Sequence, residues 1–146
     1  MRNRTLRTMM MITILMVLSA LSANAQKGSS FVVNVPFTFT VSGKTLSAGE
    51  YVFARSTQAS NEIIRVSSKA RGAYVQTKSV QALDIKEESQ VIFKRYGDQY
   101  FLFQIWTSGR STGRELFKSA REQKSERELA QRAVKPETVA IMVQPR

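Results

Sequence analysis

The chain has 146 residues, 22 Lys plus Arg against 11 Asp plus Glu, a formal net charge of +11, and neither His nor Cys. That composition excludes Ser-His and Cys-His nucleophile pairs, an imidazole general base, imidazole or thiolate metal ligands, and disulfides. Any chemistry would rest on carboxylates, Lys or Tyr, and stability would rest on packing.

Residues 1–25 have the form of an export signal. Arg2, Arg4 and Arg7 precede an uncharged apolar run from Met9 to Leu21, and Ser22-Ala23-Asn24-Ala25 supplies small residues where signal peptidase reads. The run is 13 residues long, short of the ~20 that span a bilayer as a helix. The expectation is cleavage near Ala25 and a periplasmic or secreted mature chain with no transmembrane segment. Cleavage removes three of the 22 basic residues and no acidic one, which leaves 121 residues at +8. An exported domain this basic can meet an anionic polymer or lipid surface, although charge spread along the chain also serves solubility. Nucleic acid is not an expected partner.

Residues 26–30 (QKGSS) read as a flexible N-terminus, followed by a single β-rich domain over 31–146. In 31–41 the alternation after Pro36 predicts a strand with Phe37, Phe39 and Val41 on one face, and Pro36 marks an edge or a bulge. Ser42-Gly43-Lys44 is a turn. Ala48-Gly49-Glu50-Tyr51 turns tightly into a second strand that places Tyr51 and Phe53 together. Ile63–Val66 and Ala73–Thr77 are strands joined by the loop Lys69–Gly72, and Val80–Ile85 is a weaker strand.

The strongest local signal is Val91–Tyr96, Gly97-Asp98, then Gln99–Trp106, a two-residue type II′ hairpin. Its register sets Phe93 opposite Leu102, Lys94 opposite Phe101, Arg95 opposite Tyr100 and Ile92 opposite Phe103. Both faces carry large apolar groups, so the hairpin should sit mid-sheet with cover on both sides. On that register Phe103 is a core residue whose truncation to Ala would cost about 3–5 kcal/mol.

Thr107–Gly113 reads as a loop. Residues 114–135 lack Gly and Pro and favour helix. Ser119-Ala120-Arg121-Glu122 and Ser125-Glu126-Arg127-Glu128 both match a capping box, and the second suggests a start near Ser125. Leu129, Ala130, Ala133 and Val134 form a thin apolar stripe. Pro136 ends the helix, and Thr138–Val143 is a last strand.

Three groups of residues bear on function. Glu87-Glu88 would face opposite ways in a strand, which does not suit acid–base work. Lys94, Arg95, Tyr96 and Tyr100 cluster at the hairpin tip, where basic groups beside aromatics can stack on bases or sugars or simply pack against each other. Arg110, Arg114, Lys118, Arg121, Lys124 and Arg127 make the C-terminal segment a candidate contact for a polyanion or an anionic membrane surface. Arg110-Ser111-Thr112-Gly113-Arg114 lacks the spacing and the Lys of a phosphate loop.

Three segments taken in order resemble an uncharacterised family of small exported β-rich proteins of environmental bacteria: VPFTFTVSGKTLSAGEY (35–51), VIFKRYGDQYFLFQIWTSG (91–109), and GRELFKSARE (113–122) followed by ERELA (126–130). Ser47 stands where that family commonly has Pro. The resemblance implies export and a β-rich fold; the family has no known activity, so no site residue transfers from it.

The fold expectation is a mainly antiparallel β-sandwich or open barrel of about seven strands, with one C-terminal helix before a final strand. The leading functional expectation is a non-catalytic binding or structural module of the bacterial cell envelope, without cofactor or metal, whose partner is an envelope component or a protein. The alternatives are a polyanion or membrane-surface binder through 110–135, and a small enzyme using carboxylate or Lys/Tyr chemistry.

Overall fold

A computed structural model describes residues 30–56 and 62–143. The expected export signal, its expected cleavage position and all of the polar N-terminus except Ser30 lie outside the described residues. The described residues are mainly β: ten strands in one mixed sheet and one helix. The sheet is open rather than closed into a barrel. The strands are β1 (Ser30–Val35), β2 (Phe39–Val41), β3 (Lys44–Leu46), β4 (Gly49–Arg55), β5 (Ile63–Ser67), β6 (Gly72–Lys86), β7 (Gln90–Tyr96), β8 (Gln99–Trp106), β9 (Arg110–Leu116) and β10 (Glu137–Met142). The helix α1 is Ala120–Gln131, between β9 and β10. No helix among the described residues is long and apolar enough to cross a membrane.

The strand order is β1-β4-β5-β6-β9-β8-β2-β3, with β7 on β8 and β10 on β7. Every pairing is antiparallel except β2 with β8. Two strands organise the rest. β6 pairs β5 through residues 72–76 and β9 from Thr77 onward, so one strand runs through both halves of the sheet. β8 takes β7 along its length, β2 at Tyr100 and Phe101, and β9 at Gln104 and Ile105. Inward residues of both halves form one core, including Val35, Phe53, Val66 and Val75 from the first and Phe39, Val91, Phe93 and Leu102 from the second. Thr77, at the crossing point of β6, is buried and donates its hydroxyl to Glu62 O at 2.7 Å, so its polar atom is satisfied.

Ten strands stand against about seven expected. Pro36 cannot donate to a ladder, and it divides 31–41 into β1 and β2 instead of bulging one strand. Phe39 and Val41 enter the core with Phe37 packed against it, as the alternation predicts, and Thr40 is buried as well. The two runs 73–77 and 80–85 are one 15-residue strand, β6.

The largest departure is β9, where a loop and the start of a helix were expected. Residues 112–116 pair with β6 in an unbroken register from Thr77 to Gln81. That pairing overrides the helix propensity of Arg114, Glu115 and Leu116. Gly113 is essential to it: a Cβ there would lie 2.6 Å from ring atoms of Trp106, so only glycine lets the indole lie flat on β9. The helix therefore spans 120–131 rather than 114–135. Of the two candidate starts the first is used rather than Ser125, with Ser119 Oγ accepting from Glu122 N. Gly97 takes φ 62° while Asp98 does not go positive, as a type II′ turn requires.

The hairpin register holds from Tyr96–Gln99 to Phe93–Leu102 and then shifts by one residue, so Ile92 meets Gln104 and Phe103 is the extra residue. Phe103 is consequently half-exposed rather than core. Cover on both faces is present. Phe93, Leu102 and Ile105 enter the core, while Tyr96, Phe101 and Trp106 are buried on the outer face.

Candidate functional site

The β3–β4 turn and the β5–β6 loop stand side by side because Val52 pairs with Ser67. Between them lies an open groove of about 970 Å3, walled by Ala48, Gly49 and Tyr51 on one side and Ser68, Lys69 and Arg71 on the other. Both walls are internally tied. The Tyr51 hydroxyl donates to Ser47 O at 2.8 Å, which pins the Ser47-Ala48 turn to a buried ring. Ser68 N donates to Arg71 O at 2.7 Å, and the Ser68 hydroxyl also donates to Arg71 O, at 3.1 Å. The groove is therefore pre-formed, as small-molecule and peptide sites usually are. Lys69 and Arg71 are exposed at its rim. The sequence marked both stretches as turns; only the pairing of β4 with β5 brings them together.

The hairpin-tip residues do not form one surface. Arg95 and Tyr100 share the inner face: the guanidinium lies 5.5 Å from the Tyr100 ring centre and pairs with Glu137 at 3.2 Å, while Tyr100 stacks on Phe37 at 3.9 Å. Lys94 and Tyr96 share the outer face. Lys94 Nζ lies 4.1 Å over Phe103, and Tyr96 is buried against Phe101 and Glu122. All four side chains pack within the protein. Burial raises the Tyr96 phenol well above its ordinary value, and the charges of Glu122 and Glu126 and the hydrogen bond to Glu122 add to the rise.

The basic segment is divided by the strand that replaces its first part. Lys118 pairs with Glu126 at 2.6 Å, Arg121 donates to Thr45 Oγ1 at 3.1 Å, and Lys124 stands 3.9 Å from Glu128. Arg127 is exposed on α1. Arg110 and Arg114 are instead on β9, where the two-residue period puts them on one side with Thr112 and the core residue Leu116.

The outer face of β6, β8 and β9 carries a cross-strand network. Lys78 pairs with Glu115 at 2.9 Å, Gln104 donates to Glu115 at 2.7 Å, and Trp106 Nε1 donates to Gln104 Oε1 at 3.2 Å. Burial pushes the Glu115 carboxyl up, but the hydrogen bonds from Lys78 and Gln104 and the charges of Lys78 and Lys94 outweigh it and hold the group below its ordinary value. Glu87 and Glu88 are exposed in the β6–β7 turn. Among the described residues no group of three acidic side chains is placed to hold a metal ion.

Comparison of the chain with protein-family models, with curated proteins and with solved structures finds no match.

Proposed function

We propose that the chain is a non-catalytic, exported binding module of the bacterial cell envelope, released by cleavage near Ala25 and engaging an envelope component or a protein there. The observation that carries this reading is the pre-formed groove between the β3–β4 turn and the β5–β6 loop. Its volume, about 970 Å3, is that of a site for a small molecule or a short peptide. The groups suited to Lys/Tyr chemistry support binding over catalysis, since Lys94 and Tyr96 are engaged with Phe103 and Glu122. The AGEY residues that carry the resemblance to small exported β-rich proteins wall the same groove. A sandwich-like arrangement belongs to this reading too, with the inner faces of the two halves of the sheet enclosing one core.

Retention of the mature protein on isolated envelope fragments tests the groove. Ala70→Trp fills it from an exposed loop position, and Lys69→Glu with Arg71→Glu reverses its rim. Each should lower retention at least about tenfold. Unchanged retention by folded variants refutes the groove as the binding site.

A second reading, binding of a polyanion or anionic membrane through the basic segment, is favoured by the exposure of Lys124 and Arg127 on α1. Replacement of Arg121, Lys124 and Arg127 by Gln should then abolish binding to heparin or anionic vesicles. Weak retention that the replacements leave unchanged ends that reading.

A further inference from the structure

Three arginines converge at the end of the core opposite the groove. Arg55 closes β4, on the same side of the strand as the core residue Phe53. Arg110 and Arg114 lie on the inward side of β9, in line with Leu116. Arg55 and Arg114 flank a cleft of about 20 Å3 between the two halves of the sheet, with Phe53, Ile64 and Ile105 at its floor and Thr107 and Thr112 at its rim. That space admits one water-sized group. Anything larger must sit at the mouth, among the guanidinium groups.

Among the described residues no carboxylate forms an ion pair with these three; the ion pairs are Lys78–Glu115, Arg95–Glu137, Lys118–Glu126 and Lys124–Glu128. The recorded side-chain bond of Arg114 is to the Ser79 hydroxyl at 3.0 Å, a neutral acceptor. Arg55 is half-buried beside two like charges; burial lowers its affinity for its proton, and Arg110 and then Arg114 lower it further. A guanidinium stays charged in proteins, so the arrangement costs free energy in the empty protein. An oxyanion at the mouth of the cleft would remove that cost and accept from several planar N–H forks at once.

We propose that Arg55, Arg110 and Arg114 form a binding site for a phosphate group at the mouth of the cleft, with the hydroxyls of Thr107 and Thr112 as further donors. A phosphate suits the site better than a carboxylate, because its tetrahedral oxygens can meet guanidinium forks from more than one direction, in free phosphate and in a headgroup diester alike. The phosphate comes either from free inorganic phosphate or from the headgroup of an anionic phospholipid.

The test is the thermal stability of the mature protein in inorganic phosphate against chloride at matched ionic strength, since a ligand of the folded state raises the melting temperature by mass action. Phosphate should raise it and chloride should not. Arg55→Gln and, separately, the exposed Arg110→Gln should each weaken the apparent phosphate affinity about tenfold while leaving the phosphate-free protein as stable as before or more so, because a like charge is gone. Arg127→Gln on α1 should leave the response intact. Equal effects of phosphate and chloride, an unaltered response in Arg55→Gln and Arg110→Gln, or an equal loss in Arg127→Gln would each overturn the site. Vesicles of phosphatidylglycerol and of phosphatidylcholine separate the two sources. Arginine-dependent binding to the anionic vesicles alone identifies a headgroup, whereas a phosphate response without it identifies free phosphate.

Discussion

The Tyr96 hydroxyl donates to Glu122 Oε1 at 3.3 Å, and this contact joins the first turn of α1 to β7. Both residues are buried, Tyr96 at 4% exposure and Glu122 at 5%. Glu122 is the buried residue of an otherwise solvated helix. In a capping box its side chain would reach back to the helix N-terminus; here it turns to the sheet, and Ser119 supplies the cap alone.

Tyr96→Phe should therefore cost about 1–3 kcal/mol, the penalty for leaving a buried acceptor without its donor. Urea unfolding measures the loss, and hydrogen exchange locates it. Amides of α1 should exchange faster while those of β8 keep their protection. Unchanged exchange in α1 would show that the hydroxyl does not hold the helix.

Glu122 also sets a pH dependence. Burial raises its carboxyl above the ordinary value, against lowering by the Tyr96 hydrogen bond and the charges of Lys118 and Lys94, while Glu126 adds to the rise. The folded protein therefore binds this proton more tightly than the unfolded chain does. The resulting stabilisation is full below the unfolded value, about 4.5, and is lost as pH rises through the folded value. Glu115 runs the other way: its folded value is lowered, so its contribution is lost as pH falls. Comparing the wild type with Glu122→Gln isolates the first effect, since both retain Glu115. The stability difference should move in favour of Gln as pH rises from 4 to 8. A constant difference would contradict the raised carboxyl.

The one-residue shift in the β7–β8 register separates two neighbours. Leu102→Ala should cost about 2–5 kcal/mol as a core truncation, because Leu102 is 2% exposed. Phe103→Ala should cost less than about 1.5 kcal/mol, the loss of a half-exposed ring beneath Lys94. Denaturant midpoints of the two variants decide between this register and the unshifted one, which would make both losses large.

Gly113→Ala puts a methyl into the buried Trp106 ring, so the ring or the strand must shift. A loss of about 1–3 kcal/mol follows from overpacking. Trp106 is the single tryptophan of the chain, so its emission reports the displacement directly. A wild-type spectrum and unchanged stability would mean that the indole does not lie on β9.

The parts of this fold legible in the sequence were those fixed by near neighbours. Gly97-Asp98 dictates its own turn, and the pairs next to it follow. A helix before the last strand was legible too, but its start was read near Ser125 rather than at Ser119 and its end at Pro136 rather than Gln131. Phe103 was misread because a bulge changes the register without any sign in composition. β9 was misread because its reason to be a strand is Trp106, a residue on another strand, and the backbone of β6. The site residues divide in the same way. Arg110 and Arg114 were visible as basic residues, but Arg55 joins them only when the ends of β4 and β9 are brought across the core. The groove was invisible for the same reason, since its walls are two turns with nothing in common but the pairing of β4 and β5.

The parallel pairing of β2 with β8 has a consequence for how the chain matures. Phe39 and Thr40 find their partners, Tyr100 and Phe101, only after most of the polypeptide has followed them. The ribosome delivers the N-terminal end first, so β2 can pair early with β3 but its other edge stays uncovered until the β7–β8 hairpin arrives. Native structure at that end is therefore completed late in synthesis, and until then Phe39 and Thr40 lack their β8 neighbours.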